Sequence, residues 1–240
     1  MSKVLTVIPA RLGSTRFPGK VLARLGGRTM VEWCWRAATA AKLGPVLVAT
    51  DHSLVADEVR RFGGVAVMTP SSCPSGSDRV WLASQNRREA TIVNYQGDMP
   101  LLKASTLRAT VKALTRGAHI ATAVIPLDGK RTRDPNVVKA VLTKDGRCLY
   151  FSRSAVPFGR DGSSVRSWEH LGIYVFRRDA LRRFVSLPPS PLEKTEKLEQ
   201  LRALEDGMTI RAAVVAERPV AVDVPADLRR AENFLRRGPQ

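Results

Sequence analysis

Three observations predict an α/β fold: a mostly parallel central sheet flanked by helices, with a smaller mixed-sheet region. Short continuous apolar runs alternate with helix-period segments through the first half of the chain. Glycine, proline and capping residues mark the joins between them. In the second half the alternation weakens, and a strand pair with a hairpin-type turn intervenes.

The first run, Val4–Pro9, is apolar almost throughout, as a central strand buried on both faces requires. A glycine-rich basic loop follows over residues 11–20. Residues 29–42 have helical period, and Gly44-Pro45 stops them. Val46–Thr50 is the second strand. Ser53 is read as the N-cap of a helix reaching about Arg61, which Gly63-Gly64 ends. Residues 65–69 then form a strand, 77–88 a helix, 91–95 a strand, 105–116 a helix and 120–125 a strand. Residues 137–142 and Cys148–Ser152 pair across Lys144-Asp145-Gly146. Residues 171–176 are a strand, and 191–205 one long charged helix with Pro191 in its first turn. A strand at 210–216 and a helix at 225–236 close the chain. Neither repeats nor a low-complexity linker interrupt it, so one domain is expected.

The chain has 240 residues, 44% hydrophobic and 25% charged, which supplies one good-sized core and excludes disorder. No apolar run approaches the ~18 residues of a membrane span. Met1-Ser2-Lys3-Val4 carries one charge and no cleavage pattern, so no signal peptide is expected. Cys34, Cys73 and Cys148 are widely spaced and lack CxxC or histidine partners. That argues against a disulfide framework or zinc site and places the chain in the reducing cytoplasm. The net charge of +17 admits two readings. One is nucleic-acid binding by phosphate neutralisation. The other is a basic cleft for small anions on an arginine-rich chain. No nucleic-acid recognition module is present, and Trp33 and Trp35 fall on different helix faces rather than forming a stacking platform.

The loop Pro9-Ala10-Arg11-Leu12-Gly13-Ser14-Thr15-Arg16-Phe17-Pro18-Gly19-Lys20 lies just past the end of the first strand, where open α/β sheets bind ligands. Its glycines permit close backbone approach, Arg11, Arg16 and Lys20 supply charge, and Ser14 and Thr15 supply hydroxyls. A triphosphate needs that combination. The GxxxxGK[ST] loop is absent. The bland alternative is a solvent loop with incidental basic residues.

With that string come Ala49–His52 (ATDH), Ser75–Arg79 (SGSDR), Gln96–Pro100 (QGDMP), Tyr150–Arg153 (YFSR), His170–Tyr174 (HLGIY), Ser190–Glu193 (SPLE) and Leu198–Arg202 (LEQLR). In this order they resemble the CMP-KDO synthetase family, the 3-deoxy-manno-octulosonate cytidylyltransferases. The resemblance spans nearly the whole chain. It implies a Rossmann-like nucleotide-diphospho-sugar transferase fold. Its nucleotide half would span about 1–127, its acceptor and dimer region about 128–215, and its metal loop and last helix about 216–240. It implies transfer of CMP from CTP to a small anionic acceptor, release of pyrophosphate, dependence on Mg²⁺, and a homodimer with no membrane association.

Residue by residue, the resemblance implies Lys20, Arg11, Asp98 and Asp223 as catalytic, with Asp98 and Asp223 holding the metal. Ala10, Arg11, Gly13, Ser14, Thr15, Arg16, Lys20, Ser75, Arg79 and Asp98 would bind nucleotide. Arg16, Gln96, His170, Tyr174, Glu199 and Gln200 would bind the acceptor. The residues themselves admit plainer roles. Asp223 suits a capping acid before the Pro225 helix, and Ser75 or Ser77 a cap with Arg79 on the surface. Tyr174 suits core packing; Glu199 and Gln200 suit a solvated or subunit-contacting helix face. His170 and Tyr174, four apart on a strand, share a face by period two. His52 is read as a structural hydrogen-bonder.

Several positions depart from the family pattern. Met99 replaces a Glu, Glu169 an Arg, Val175-Phe176 a Gly-Tyr, and Val224 a Thr, while the stretch 154–169 is shortened. Glu169 reverses charge beside an anionic acceptor unless it points away or pairs with an arginine such as Arg166. Some relatives cytidylylate small phosphonates, phosphonoformate among them, and these departures raise that acceptor as the alternative to 3-deoxy-manno-octulosonate (KDO).

Overall fold

The computed structural model describes residues 3–14, 16–115, 117–127, 129, 131–161 and 166–237, without the side chain of Arg237. The chain forms two compact units, residues 1–108 with 219–240, and 109–218. The sequence had set its boundaries at 127/128 and 215/216. The strand starting at Ile120 belongs to the second unit because both its partners in that unit, described below, lie there.

Unit 1 begins with β1 (Val4–Pro9), whose interior residues are all buried. A short hairpin, β2 (Arg24–Leu25) with β3 (Arg28–Thr29), precedes α1 (Met30–Ala40), which Thr29 caps. Then come β4 (Val46–Thr50), α2 (Ser53–Arg61), β5 (Val65–Met68), α3 (Gly76–Ser84) and β6 (Thr91–Asn94). All four long strands are parallel, in the order β6-β1-β4-β5. The chain winds outward from β1 to β5 and then returns to β1's other side. That reversal opens a crevice at the carboxyl ends of β1 and β6, the ligand position of such sheets. Leu5, Val7, Ile8, Val48, Ala49, Ile92 and Val93 form the core beneath it. The N-cap of α2 is His52, not Ser53: its Nδ1 accepts from Leu54 N at 3.2 Å. That is the structural role expected of His52.

From α4 (Ala104–Ala113) the chain enters unit 2. Here β7 (Ile120–Leu127) and β10 (Ser167–Arg177) are antiparallel, and the hairpin β8 (Lys139–Leu142) and β9 (Cys148–Ser152) joins the start of β10. Helix α5 (Arg178–Ser186) follows β10; the sequence suggested a helix face at Arg182-Arg183 but bounded no helix there, since the buried face is only Ala180, Leu181 and Phe184. The expected single helix at 191–205 is two, α6 (Pro191–Glu196) and α7 (Gln200–Glu205). Lys197 between them is left-handed at φ 54°. The break exposes the end of α6 to Arg153, whose Nε donates to the Glu196 carbonyl at 2.8 Å. The Glu196 carboxylate accepts from Ser152 Oγ at 2.6 Å and Arg153 N at 2.9 Å. The YFSR string therefore meets the end of α6, three residues past the SPLE string. β11 (Ile210–Val214) pairs parallel with β7.

Residues 219–240 return to unit 1 and end in α8 (Pro225–Arg237). Val222 and Ala231 pack on Leu25 and Met30. The Thr-to-Val change at 224 costs no cap: Asp227 Oδ2 accepts from Asp223 N and Val224 N at 3.0 and 3.1 Å.

Lys139 is fully buried, and its Nζ donates to the carbonyls of Asp134 at 2.9 Å, Val137 at 2.7 Å and Arg153. A methionine fills the volume and abandons three carbonyls. Lys139→Met should lower unfolding free energy by about 2–4 kcal/mol, read from a urea midpoint, because unpaired buried acceptors carry their full desolvation cost.

Candidate functional site

The crevice of unit 1 holds two adjoining depressions that share Pro9, Arg11 and Gln96. One, about 200 Å³, is walled by Cys73, Pro74, Ser75, Gly76 and Arg79. The other, about 230 Å³, is walled by Gly13, Ser14, Arg16, Lys20, Gly97, Asp98 and Asp223. The second gathers the cations and carboxylates. Thr15 lies outside the described residues.

The glycine-rich loop leaves β1 after Ala10, whose N–H bonds the Ala49 carbonyl at 2.8 Å. Ser14 Oγ accepts from Phe17 N at 3.4 Å, and Gly19, at φ 68°, turns the loop so that Lys20 faces inward. On the facing edge, a Cβ at Gly97 would lie 3.3 Å from the Pro9 carbonyl, so a side chain there would press on the loop.

Asp223 does not cap α8. Arg16 Nη2 lies 3.1 Å from Asp223 Oδ1, and Lys20 Nζ lies 3.4 Å from the same oxygen and 3.9 Å from Asp98 Oδ2. The bond from Val222 N to the Asp98 carbonyl, 2.8 Å, brings the two carboxylates to one spot. Burial pushes the Asp98 carboxyl above its usual value; Lys20 counters that, and Asp223 adds to it. Among the described residues no group of three His, Cys, Asp or Glu side chains could hold a metal. Asp98 and Asp223 are the carboxylates facing this depression.

Ser75 is the cap of α3: its oxygen accepts from Ser77 N and Asp78 N, and its proton goes to Asp78 Oδ2 at 2.7 Å. Arg79 is not a surface residue. It is 3% exposed, and donates to Thr69 Oγ1 at 2.6 Å and Asp51 Oδ2 at 2.9 Å. Asp51 Oδ1 also accepts from Leu12 N at 3.3 Å. Asp51 thus ties the Arg79 wall to the phosphate-type loop. The site residues read from sequence omitted it, although it lies in ATDH at the end of β4, next to the loop's own strand.

The acceptor set is divided between the units, with Arg16 and Gln96 in unit 1 and His170, Tyr174, Glu199 and Gln200 in unit 2. Gln96 donates to Asn94 Oδ1 at 2.9 Å. His170 and Tyr174 come together, ring centres 5.4 Å apart, despite a register shift between them. Tyr174 OH donates to Gln200 Oε1 at 3.0 Å. Gln200 is buried, not on a solvated face, and among the described residues its Nε2 has no hydrogen-bond partner. Burial raises the Tyr174 hydroxyl well above its usual pKa, and the charge of Glu199 adds to that. Glu169 pairs not with Arg166 but with Arg131 and Arg218, at 2.7 and 2.8 Å. Arg166 instead covers the Trp168 ring at 4.6 Å. Met99 is buried, and its carbonyl accepts from Tyr95 OH. The shortened stretch falls partly on residues outside those described.

Residues 5–210 match the family model described as Cytidylyltransferase. The 3-deoxy-manno-octulosonate cytidylyltransferase of Elusimicrobium minutum is 46% identical over 98% of this chain and 99% of its own length. The chain belongs to the CMP-KDO synthetase family of cytidylyltransferases. Its Azorhizobium caulinodans relative of the same description is 50% identical over 98% of this chain and 96% of its own. A solved CMP:2-keto-3-deoxy-manno-octonic acid synthetase in complex with CTP superposes with a TM-score of 0.95 at 35% identity, covering 98% and 99% of the two chains. Cytidylyltransferase membership makes this chain a nucleotidyltransferase. Among the described residues no helix is long and apolar enough to cross a membrane.

Two outcomes follow. Asp51→Ala leaves the buried Arg79 guanidinium without its carboxylate. It should cost about 3–5 kcal/mol in thermal unfolding and raise KM for the nucleotide more than for the acceptor. The second concerns acid. Burial lowers His170 from 6.5 to about 3, so the unfolded chain takes up a proton that the folded chain refuses. This group's contribution is complete above pH 6.5 and is lost as pH falls toward about 3. His170→Gln should flatten that part of the stability–pH curve.

Proposed function

We propose that this chain transfers CMP from CTP to KDO, releasing pyrophosphate, with Mg²⁺ held by Asp98 and Asp223. The observation that carries the reading is the pairing of two carboxylates with Lys20 and Arg16 at the mouth of a glycine-rich loop. Magnesium takes one or two carboxylates and completes its shell from phosphate oxygens and water, so this pair fits it without a dedicated cage. When bound, the ion neutralises charge on the triphosphate.

The chain's own residues do the remaining work. Arg11, Arg16 and Lys20 hold the triphosphate, and Ala10, Gly13 and Ser14 line its path. Ser75 and Arg79 bound the nucleoside side. An acceptor hydroxyl oxygen bonds to the α-phosphorus, the bond to the β-phosphate oxygen breaks, and the hydroxyl proton is released to solvent. Pyrophosphate departs toward Arg16 and Lys20. Positioning and charge neutralisation carry the rate. Arg16, Gln96, His170, Tyr174, Glu199 and Gln200 are the acceptor residues in this reading; the buried Nε2 of Gln200 is a donor held ready for an acceptor oxygen. The named relatives support KDO. The phosphonate alternative drew on the departures at 99, 169 and 175–176 and on the shortened stretch; the charge of Glu169 is neutralised by Arg131 and Arg218. A homodimer is part of this proposal, and light scattering on the purified protein tests it.

Pyrophosphate release with CTP and Mg²⁺ tests the reaction, with KDO and phosphonoformate as parallel acceptors. Release is expected with KDO. Asp98→Asn and Asp223→Asn should each lower turnover at least about a hundredfold, as loss of a charge-stabilising group does. Release with phosphonoformate alone would overturn the acceptor, and full activity of either variant would overturn the metal assignment.

A further inference from the structure

The pairing of β10 with β7 shifts between His170 and Tyr174, and Gly172 inside the shift takes φ 68°. There the hydroxyl oxygen of Thr122 lies 2.7 Å from the Ile173 carbonyl and 2.8 Å from His170 Nε2. A carbonyl accepts and never donates, so the one hydroxyl proton of Thr122 goes to Ile173. His170 Nε2 must then carry a proton and donate it to Thr122. A neutral imidazole has a single N–H, which leaves Nδ1 with a lone pair. Burial lowers the imidazole to about 3, so the neutral form persists at working pH. Phe151, edge-on at 4.9 Å, and Tyr174 hold the ring plane. Among the described residues Nδ1 makes no hydrogen bond.

The geometry points to Thr122 as a positioning residue that locks His170 as the Nε2–H tautomer, so that Nδ1 accepts a hydrogen bond from a hydroxyl of the acceptor. This deepens the acceptor reading above and rests on it. A lone pair welcomes a hydroxyl and opposes an anionic oxygen, which has no proton to offer. Gln200 is the complement: its Oε1 is taken by Tyr174, and its Nε2 is a buried donor. The cluster offers one acceptor and one donor, the pair that a polyhydroxylated carboxylic acid fills. Phosphonoformate has no hydroxyl attached to carbon to satisfy the first.

The test is ¹⁵N NMR of the histidine side chains in the full-length protein without substrate. The chain has three histidines, and His52→Gln and His119→Gln variants assign the remaining one. His170 is expected to show a protonated Nε2 and a bare Nδ1. Thr122→Val should populate both tautomers and raise KM for KDO about tenfold with KM for CTP unchanged, the loss of roughly one hydrogen bond. Thr122→Ser should restore both. A protonated Nδ1 in the wild type overturns the proposal, as does an equal rise in the two KM values. The spectrum needs no substrate. If KDO is not turned over while Nε2 is protonated, the acceptor reading falls and the tautomer lock stands. If the valine variant fails to fold, the wild-type and serine spectra decide.

Discussion

Two carboxylates in a half-buried crevice repel each other, and the arrangement around Asp98 and Asp223 depends on how that repulsion is met. Lys20 lies within reach of both, and Arg16 takes one of them. The backbone bond from Val222 to Asp98 fixes the approach. Three stretches far apart in sequence thereby hold one another: the loop after β1, the turn after β6, and the returning C-terminal segment. The cations that would meet a triphosphate also keep the carboxylates together in its absence. This is the preorganisation that a reaction driven by charge neutralisation requires.

The parts legible in the sequence were those with a local physical signal. Buried parallel strands are near-continuous apolar runs, so β1 and β4 could be read directly, and the glycine-rich loop announced itself by its charges. The break between α6 and α7 had no such signal. Lys197 adopts a left-handed conformation that its own neighbours do not request; Arg153, just past the end of β9, engages the freed helix end. Helix α5 was hidden because only Ala180, Leu181 and Phe184 form its buried face. Asp51 and Thr122 were missed for one reason: each is a short polar residue whose partners are distant in sequence, Arg79 on α3 and Leu12 in the loop for Asp51, His170 and Ile173 on β10 for Thr122. The period-two argument for His170 and Tyr174 reached the right neighbours through an irregular strand, where the glycine in the register shift lets the two rings meet.

The surplus of arginine looks different once its partners are visible. Glu32, 7% exposed at its side chain, receives Arg28, Arg36 and Arg61 from two helices and a hairpin. Glu169 receives Arg131 and Arg218. In each case a buried or half-buried carboxylate collects more than one guanidinium, so part of the positive charge is scaffold rather than recognition surface. The inversion at 169 belongs to this pattern: the carboxylate is clasped from both sides and brings little naked charge to its surroundings.

Lys139 takes the same idea to its limit. Its ammonium group sits among three carbonyl oxygens, coordinated much as a bound alkali-metal ion would be. Because this cation is tethered by a covalent stem, dilution cannot strip it away. Surface ion pairs fade as ionic strength rises, while an enclosed charge is shielded from mobile ions. The β8–β9 hairpin therefore keeps its anchor in brines that would loosen the arginine-rich exterior.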